Sequence, residues 1–234
     1  MAAVWSRLAG WAPRGLPVVT PALMLLNALL FAYQSALSPD QRELFILRWG
    51  AIPLELTEGD LDPTVPFPVA GTLLTALFLH ADVPHLASNL FYLGLFGWPL
   101  ERVVGGRKLL ALYLLCGVGA GLAQVAAYPA SLVPIVGASG AVAGAMGAYA
   151  ALFPGPTLRA VLLAGWLTLE LIDVLHFPSA TAQWVAGPAS WAHLAGLGAG
   201  VVLALMVRCA VDGREACDRR VREVVGRWPD ITLR

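Results

Sequence analysis

Four polar side chains stand out in an otherwise strongly apolar sequence: His85, Asn89, Ser139 and His193. Two of them are the parts of a nucleophilic catalyst. The hydroxyl of Ser139 is a poor nucleophile until a neighbouring base takes its proton, and the imidazole of His193 is the candidate base. His85 and Asn89 are four residues apart and so share one helix face. Both carry donors of the kind that steady a developing oxyanion. Inside a membrane bundle such groups are costly and mark a functional site by default. Taken singly, each also fits a plainer role. A Gly-x-Ser-Gly stretch usually serves close packing, His193 suits a structural hydrogen bond, and Asn89 suits a tie between two helices.

Ser139 stands in Gly137-Ala138-Ser139-Gly140. Glycines there permit a turn into a helix and let another backbone come near the serine. Gly144 and Gly147 continue the series, and Gly196, Gly198 and Gly200 follow His193. Glycine at three- and four-residue spacing allows backbones to approach, so the helices carrying Ser139 and His193 are expected to touch.

The elements that must position these groups are membrane helices. Of 234 residues 58% are apolar and 13% charged, a membrane composition rather than that of a water-soluble domain. A span needs about 20 mostly apolar residues. Leu16 to Pro39 and Val83 to Leu100 carry no charge. The fifty residues from Leu109 to Leu158 also carry none, and prolines and a glycine-rich turn divide them into two spans. A fifth runs from beyond Arg159 to about Leu175, and a sixth from Ser190 to Arg208. Open sheet edges cannot sit in lipid, so the fold class is all-α, a polytopic bundle of six transmembrane helices.

Basic residues stay on the cytoplasmic side. Arg7, Arg14, Arg102, Arg107, Lys108, Arg159 and the seven arginines from Arg208 onward fall on one side of a six-span chain. The acidic first loop falls on the other. This predicts a cytoplasmic N-terminus (1–15), a membrane domain (16–208) whose long outer loop covers about 40–82, and a cytoplasmic tail (209–234). The long apolar run without a small-residue cleavage site favours a permanent first span over a cleaved signal. With a net charge of zero, the arginines mark topology and not a nucleic-acid surface. Cys116, Cys209 and Cys217 offer neither a disulfide framework nor metal spacing, so no metal or cofactor is expected. Oligomeric state is left open by the sequence.

Spans two, four and six run in the same direction, from outside to inside. His85, Asn89, Ser139 and His193 all lie near the starts of these spans, at similar depth below the outer surface. At this point the chain resembles the rhomboid family of intramembrane proteases. The matching stretches are His80-Ala81-Asp82-Val83-Pro84-His85 with Asn89, the Gly-Ala-Ser-Gly of 137–140, and Ala192-His193-Leu194-Ala195-Gly196 through Gly200; Glu101-Arg102 also fits. The resemblance covers roughly Gly71 to Val207, and the order of the motifs carries it more than any one of them.

The resemblance implies a rhomboid-like six-helix bundle in a bacterial inner membrane. It implies an endopeptidase that cuts transmembrane or juxtamembrane segments of other membrane proteins. Ser139 would be the nucleophile, His193 the base, and the Ser139 N–H with the side chains of Asn89 and His85 the oxyanion donors. No aspartate is placed to complete a triad, so a dyad is expected. Gly71-Thr72-Leu73 stands where the family has a Trp-Arg pair, and Ala143 where it has a tyrosine packed on the histidine; Trp191 is the candidate substitute. Glu101 is expected to pair with the first loop or Arg102. Glu170 and Asp173 are expected at a helix end that reaches water. An inactive relative that binds membrane helices and a small transporter are the alternative readings.

Overall fold

Thr20, Leu23, Asn27, Phe31 and Gln34 recur at three- and four-residue intervals and are the buried face of α1 (Val19–Ala36), the periodicity of a helix packed on one side. The computed structural model describes residues 16–59, 68–153, 157–176 and 189–212, and every regular element among them is a helix. A capping box stops α1 from running on. The Ser38 hydroxyl accepts from the Gln41 N–H and the Gln41 side chain accepts from the Ser38 N–H, with Pro39 opening α2 (Pro39–Trp49).

Most of the described part of the stretch expected as the long outer loop (40–82) is helical. After α2 come the short α3 (Pro53–Glu58) and α4 (Val69–Phe78), the latter built of mixed 3₁₀ and α turns. Tyr33 meets Phe45 edge to face at 5.4 Å, which folds α2 back on α1.

α5 (Val83–Val104) leaves α4 at an angle of 81°. Asp82 caps it, its carboxylate accepting the His85 N–H at 2.7 Å. A π-helical turn at Leu93–Gly97 interrupts it. Pro99 follows, and because proline has no N–H, the carbonyl four residues earlier loses its helical donor. That carbonyl, Leu95, accepts from Arg159 Nε at 2.9 Å instead. Gly105, at φ 86°, ends α5 and leads directly into α6 (Gly106–Ala127).

Glu101 is 4% exposed. Its carboxylate accepts from the N–H groups of Val18, Val19 and Thr20 and from the Thr20 hydroxyl, at 2.7–2.8 Å. The expected partner was the first loop or Arg102. The observed one is the start of α1, where orphan N–H groups and the positive end of the helix dipole favour a carboxylate.

α7 (Ser139–Leu152) is buried on nearly all sides, which makes it the centre of the bundle. α8 (Leu158–His176) and α9 (Ser190–Asp212) complete it. The predicted contact between the fourth and sixth spans is present and very close. A β-carbon built on Gly196 would stand 2.1 Å from the Gly140 carbonyl oxygen, and one on Gly147 2.1 Å from that of Leu197. On its other side α7 meets α6, where Gly140 and Gly144 face Ala120 and Cys116.

Among the described residues three helices are long and apolar enough to cross a membrane: α1, α6 and α9 over Ser190–Val207. Among the same residues a fourth crossing results where α5 is taken with α4 across their bend. Of the other two predicted spans, α7 has only 14 residues and α8 carries Arg159, Glu170 and Asp173. The N-terminal segment, the connection Phe177 to Pro188, most of the arginine-rich tail with Cys217, and the side chains of Asp173 and Cys209 lie outside the described residues.

Candidate active site

The turn into α7 is set by main-chain hydrogen bonds to the 40–82 stretch. Ala51 and Ile135 form an antiparallel bridge with N–H to O distances of 3.1 and 2.8 Å. The Leu54 N–H reaches the Ser131 carbonyl at 3.0 Å, and the Gly137 N–H reaches the Ala76 carbonyl at 2.9 Å. Ala51, Leu54 and Ala76 thus hold the stretch that delivers Ser139. The last of these contacts requires glycine: Gly137 has φ 122°, a conformation that side chains rarely adopt.

The same glycine makes room for an imidazole. A β-carbon on Gly137 would lie 2.7 Å from both Cε1 and Nε2 of His85 and 3.7 Å from Ser139 Oγ. The His85 ring and the Ser139 hydroxyl therefore converge on one spot. One turn further along α5, Asn89 is buried, and its side-chain amide donates to the His85 carbonyl at 3.0 Å. Of the two side chains expected as oxyanion donors, His85 stands beside the serine turn, while one N–H of Asn89 is committed to its own helix. Ser139 is the first residue of α7, so its N–H belongs to the unsatisfied set of a helix start.

His193 is brought to this region by the glycine contact. Gly140, the residue after Ser139, faces the carbonyl of Ala192, the residue before His193, at 3.7 Å from its built β-carbon. Gln124 of α6 steadies the start of α9 by accepting the Ala192 N–H at 3.3 Å. His193 Nε2 is buried and makes no hydrogen bond. Ser139 and His193 are neighbours across a helix contact and not a bonded pair in this structure. Catalytic hydrogen bonds often form only with substrate in place.

Two residues that sequence reasoning did not assign to the site lie on His193. Glu170 Oε1 is 2.9 Å from His193 Nδ1, an ion-pair distance with the N–H off the line to the oxygen. Trp166 packs its ring on the imidazole at 5.7 Å and 46°. Trp166, not Trp191, occupies the role left by Ala143; Trp191 lies on the surface. The expectation that Glu170 sits at a water-reaching helix end is likewise corrected, since its side chain is 11% exposed and turned to His193. The legible signal was the four-residue spacing of Trp166 and Glu170, which puts both on one face of α8.

His80 lies between α4 and α5, ahead of the predicted second span. It is fully buried, with its ring edge-on to His85 at 5.1 Å and both ring nitrogens without partners. Gln34 clamps its backbone, donating to the carbonyl at 3.4 Å and accepting from the N–H at 3.2 Å. Burial, and then the neighbouring His85, lower its pKa from 6.5 to about 4. His80 is thus the neutral wall behind His85.

A protein-family model described as the Rhomboid domain matches residues 70–209. Among curated proteins, RHOMBOID-like protein 6, mitochondrial, of Arabidopsis thaliana is 32% identical over 136 residues, 58% of this chain and 43% of that protein. Rhomboid-like protein 11, chloroplastic, of the same plant is 46% identical over 78 residues, covering 33% and 28%. Rhomboid protease AarA of Providencia stuartii is 35% identical over 111 residues, covering 46% and 36%. The chain spans less than half the length of each of these relatives.

Proposed function

We propose that this chain, which belongs to the rhomboid family, is an intramembrane serine protease in a bacterial inner membrane, with six spans and both termini in the cytoplasm. Its substrates are other membrane proteins, cut in or next to a transmembrane segment near the outer face. The observation that carries this reading is the placement of Ser139 at the head of a buried 14-residue helix, beside His85 and across a glycine contact from His193. At 1.5 Å per residue such a helix is roughly 21 Å long, against a hydrocarbon core of about 30 Å. A helix that short cannot reach both surfaces, and on this reading it is the Ser139 end that lies below the membrane surface, where water admitted to a cavity reaches it.

In the reaction His193 Nε2 takes the Ser139 proton as Oγ bonds to the scissile carbonyl carbon. The carbonyl electron pair becomes an oxyanion. The Ser139 N–H, His85 and Asn89 are the donors that meet it, each worth about 3 kcal/mol by analogy with such donors elsewhere. His193 then passes its proton to the leaving amine, and water releases the acyl group by the reverse sequence. The glycines at 137, 140, 196 and 200 keep the serine accessible and hold the two helices at backbone contact.

The test is chemical. A fluorophosphonate probe should label the purified protein at Ser139, and a reporter transmembrane substrate should be cleaved. Both activities should vanish in Ser139→Ala with the protein still folded. Labelling that persists in that variant would refute the assignment.

A further inference from the structure

We propose that Glu170 is a positioning residue for His193, an acid from α8 that orients the base of the Ser139-His193 dyad. This rests on the protease reading above and deepens it. A carboxylate only accepts hydrogen bonds, so a Glu170 oxygen 2.9 Å from Nδ1 favours the tautomer with its proton on Nδ1. The lone pair is then on Nε2; both ring nitrogens are buried and neither makes a hydrogen bond as placed, so Glu170 acts on the ring here by its charge and proximity. Nε2 is the nitrogen a base must keep free.

Two further facts argue for orientation over chance contact. Trp166, one turn before Glu170, lies on the same imidazole, so α8 packs on the face of the ring and sets a carboxylate beside one nitrogen. The acid is also nearly enclosed, and an enclosed carboxylate in an apolar bundle is tolerated only where it is paired. During acylation the proton of Ser139 Oγ moves to His193 Nε2 while the Oγ–C bond forms. The imidazolium is then positive and faces Glu170, which stays ionised and keeps no proton. When the C–N bond breaks, the Nε2 proton leaves with the amine and the pair returns to its starting state.

The experiment uses the full chain, with Glu170→Gln and Glu170→Asp compared with wild type and Ser139→Ala in cleavage kinetics and probe labelling. Glu170→Gln should lower kcat and the labelling rate about 10- to 100-fold while KM stays within about twofold. Glu170→Asp, which keeps the charge, should retain more kcat than Glu170→Gln. Near-wild-type kcat in Glu170→Gln overturns the positioning role, as does a rise in KM at constant kcat. Should Glu170→Gln not fold, Glu170→Asp decides, and a loss as deep as that of His193→Ala overturns it. Failure of the protease reading shows instead in the wild type, as absent Ser139-dependent labelling.

Discussion

Gly200 of α9 and Gly144 of α7 are in backbone contact: a β-carbon on Gly200 would lie 1.9 Å from the Gly144 carbonyl oxygen. The obstacle is main chain, so no rotamer change relieves it. Gly200→Ala should destabilise the bundle by about 3 kcal/mol, the upper end for overpacking. Gly198→Ala, where nothing lies within 4 Å, should leave the thermal midpoint in detergent unchanged or slightly raised. Equal midpoints for the two variants would contradict the close packing.

Gly137 combines a backbone that disfavours any side chain with a space already filled by His85. Gly137→Ala should therefore displace the His85 ring or the turn into α7. The expected result is lost probe labelling at Ser139 together with a stability loss of about 1–3 kcal/mol. Wild-type labelling in this variant would show that the turn has slack the structure does not suggest.

Glu101 holds the start of α1 through four hydrogen bonds to one carboxylate. Glu101→Ala should cost about 2–4 kcal/mol in thermal or denaturant unfolding, since charged hydrogen bonds are the strong ones. Glu101→Gln, which keeps part of the set, should fall between. Catalytic rate per folded molecule should not change, and a selective loss of rate would move Glu101 out of a structural role.

His80 gives a pH dependence whose sign follows from burial. Its folded pKa is about 4, against an ordinary 6.5, so below pH 6.5 the unfolded chain binds a proton that the folded chain does not. Stability from this residue is complete above pH 6.5 and falls as the pH drops toward 4, by up to about 3 kcal/mol. Unfolding of wild type at pH 7 and 4.5, set beside His80→Asn, measures it. The variant should lose less stability on acidification, and parallel behaviour would disprove the assignment.

The apolar runs and glycine spacings made much of the helix order legible, and with it the contact of α7 with α9. Glycine announces close approach because nothing else fits between two backbones. What stayed hidden depends on rotation and depth. Glu170 is one carboxylate on a mostly apolar helix, and its meeting with His193 requires both α8 and α9 to turn inward at matched height. Glu101 binds the start of α1, far away in sequence, through main-chain groups that carry no residue signature. The helices inside the outer loop were obscured by its prolines, although Pro39 and Pro53 open helices there.

The bridge between Ala51 and Ile135 makes one mechanical body of two stretches distant in the chain. Whatever grips the outer loop, a neighbouring protein or an antibody, pulls on the residues that set the height of Ser139. The loop behaves as a handle on the serine rather than a cover above it.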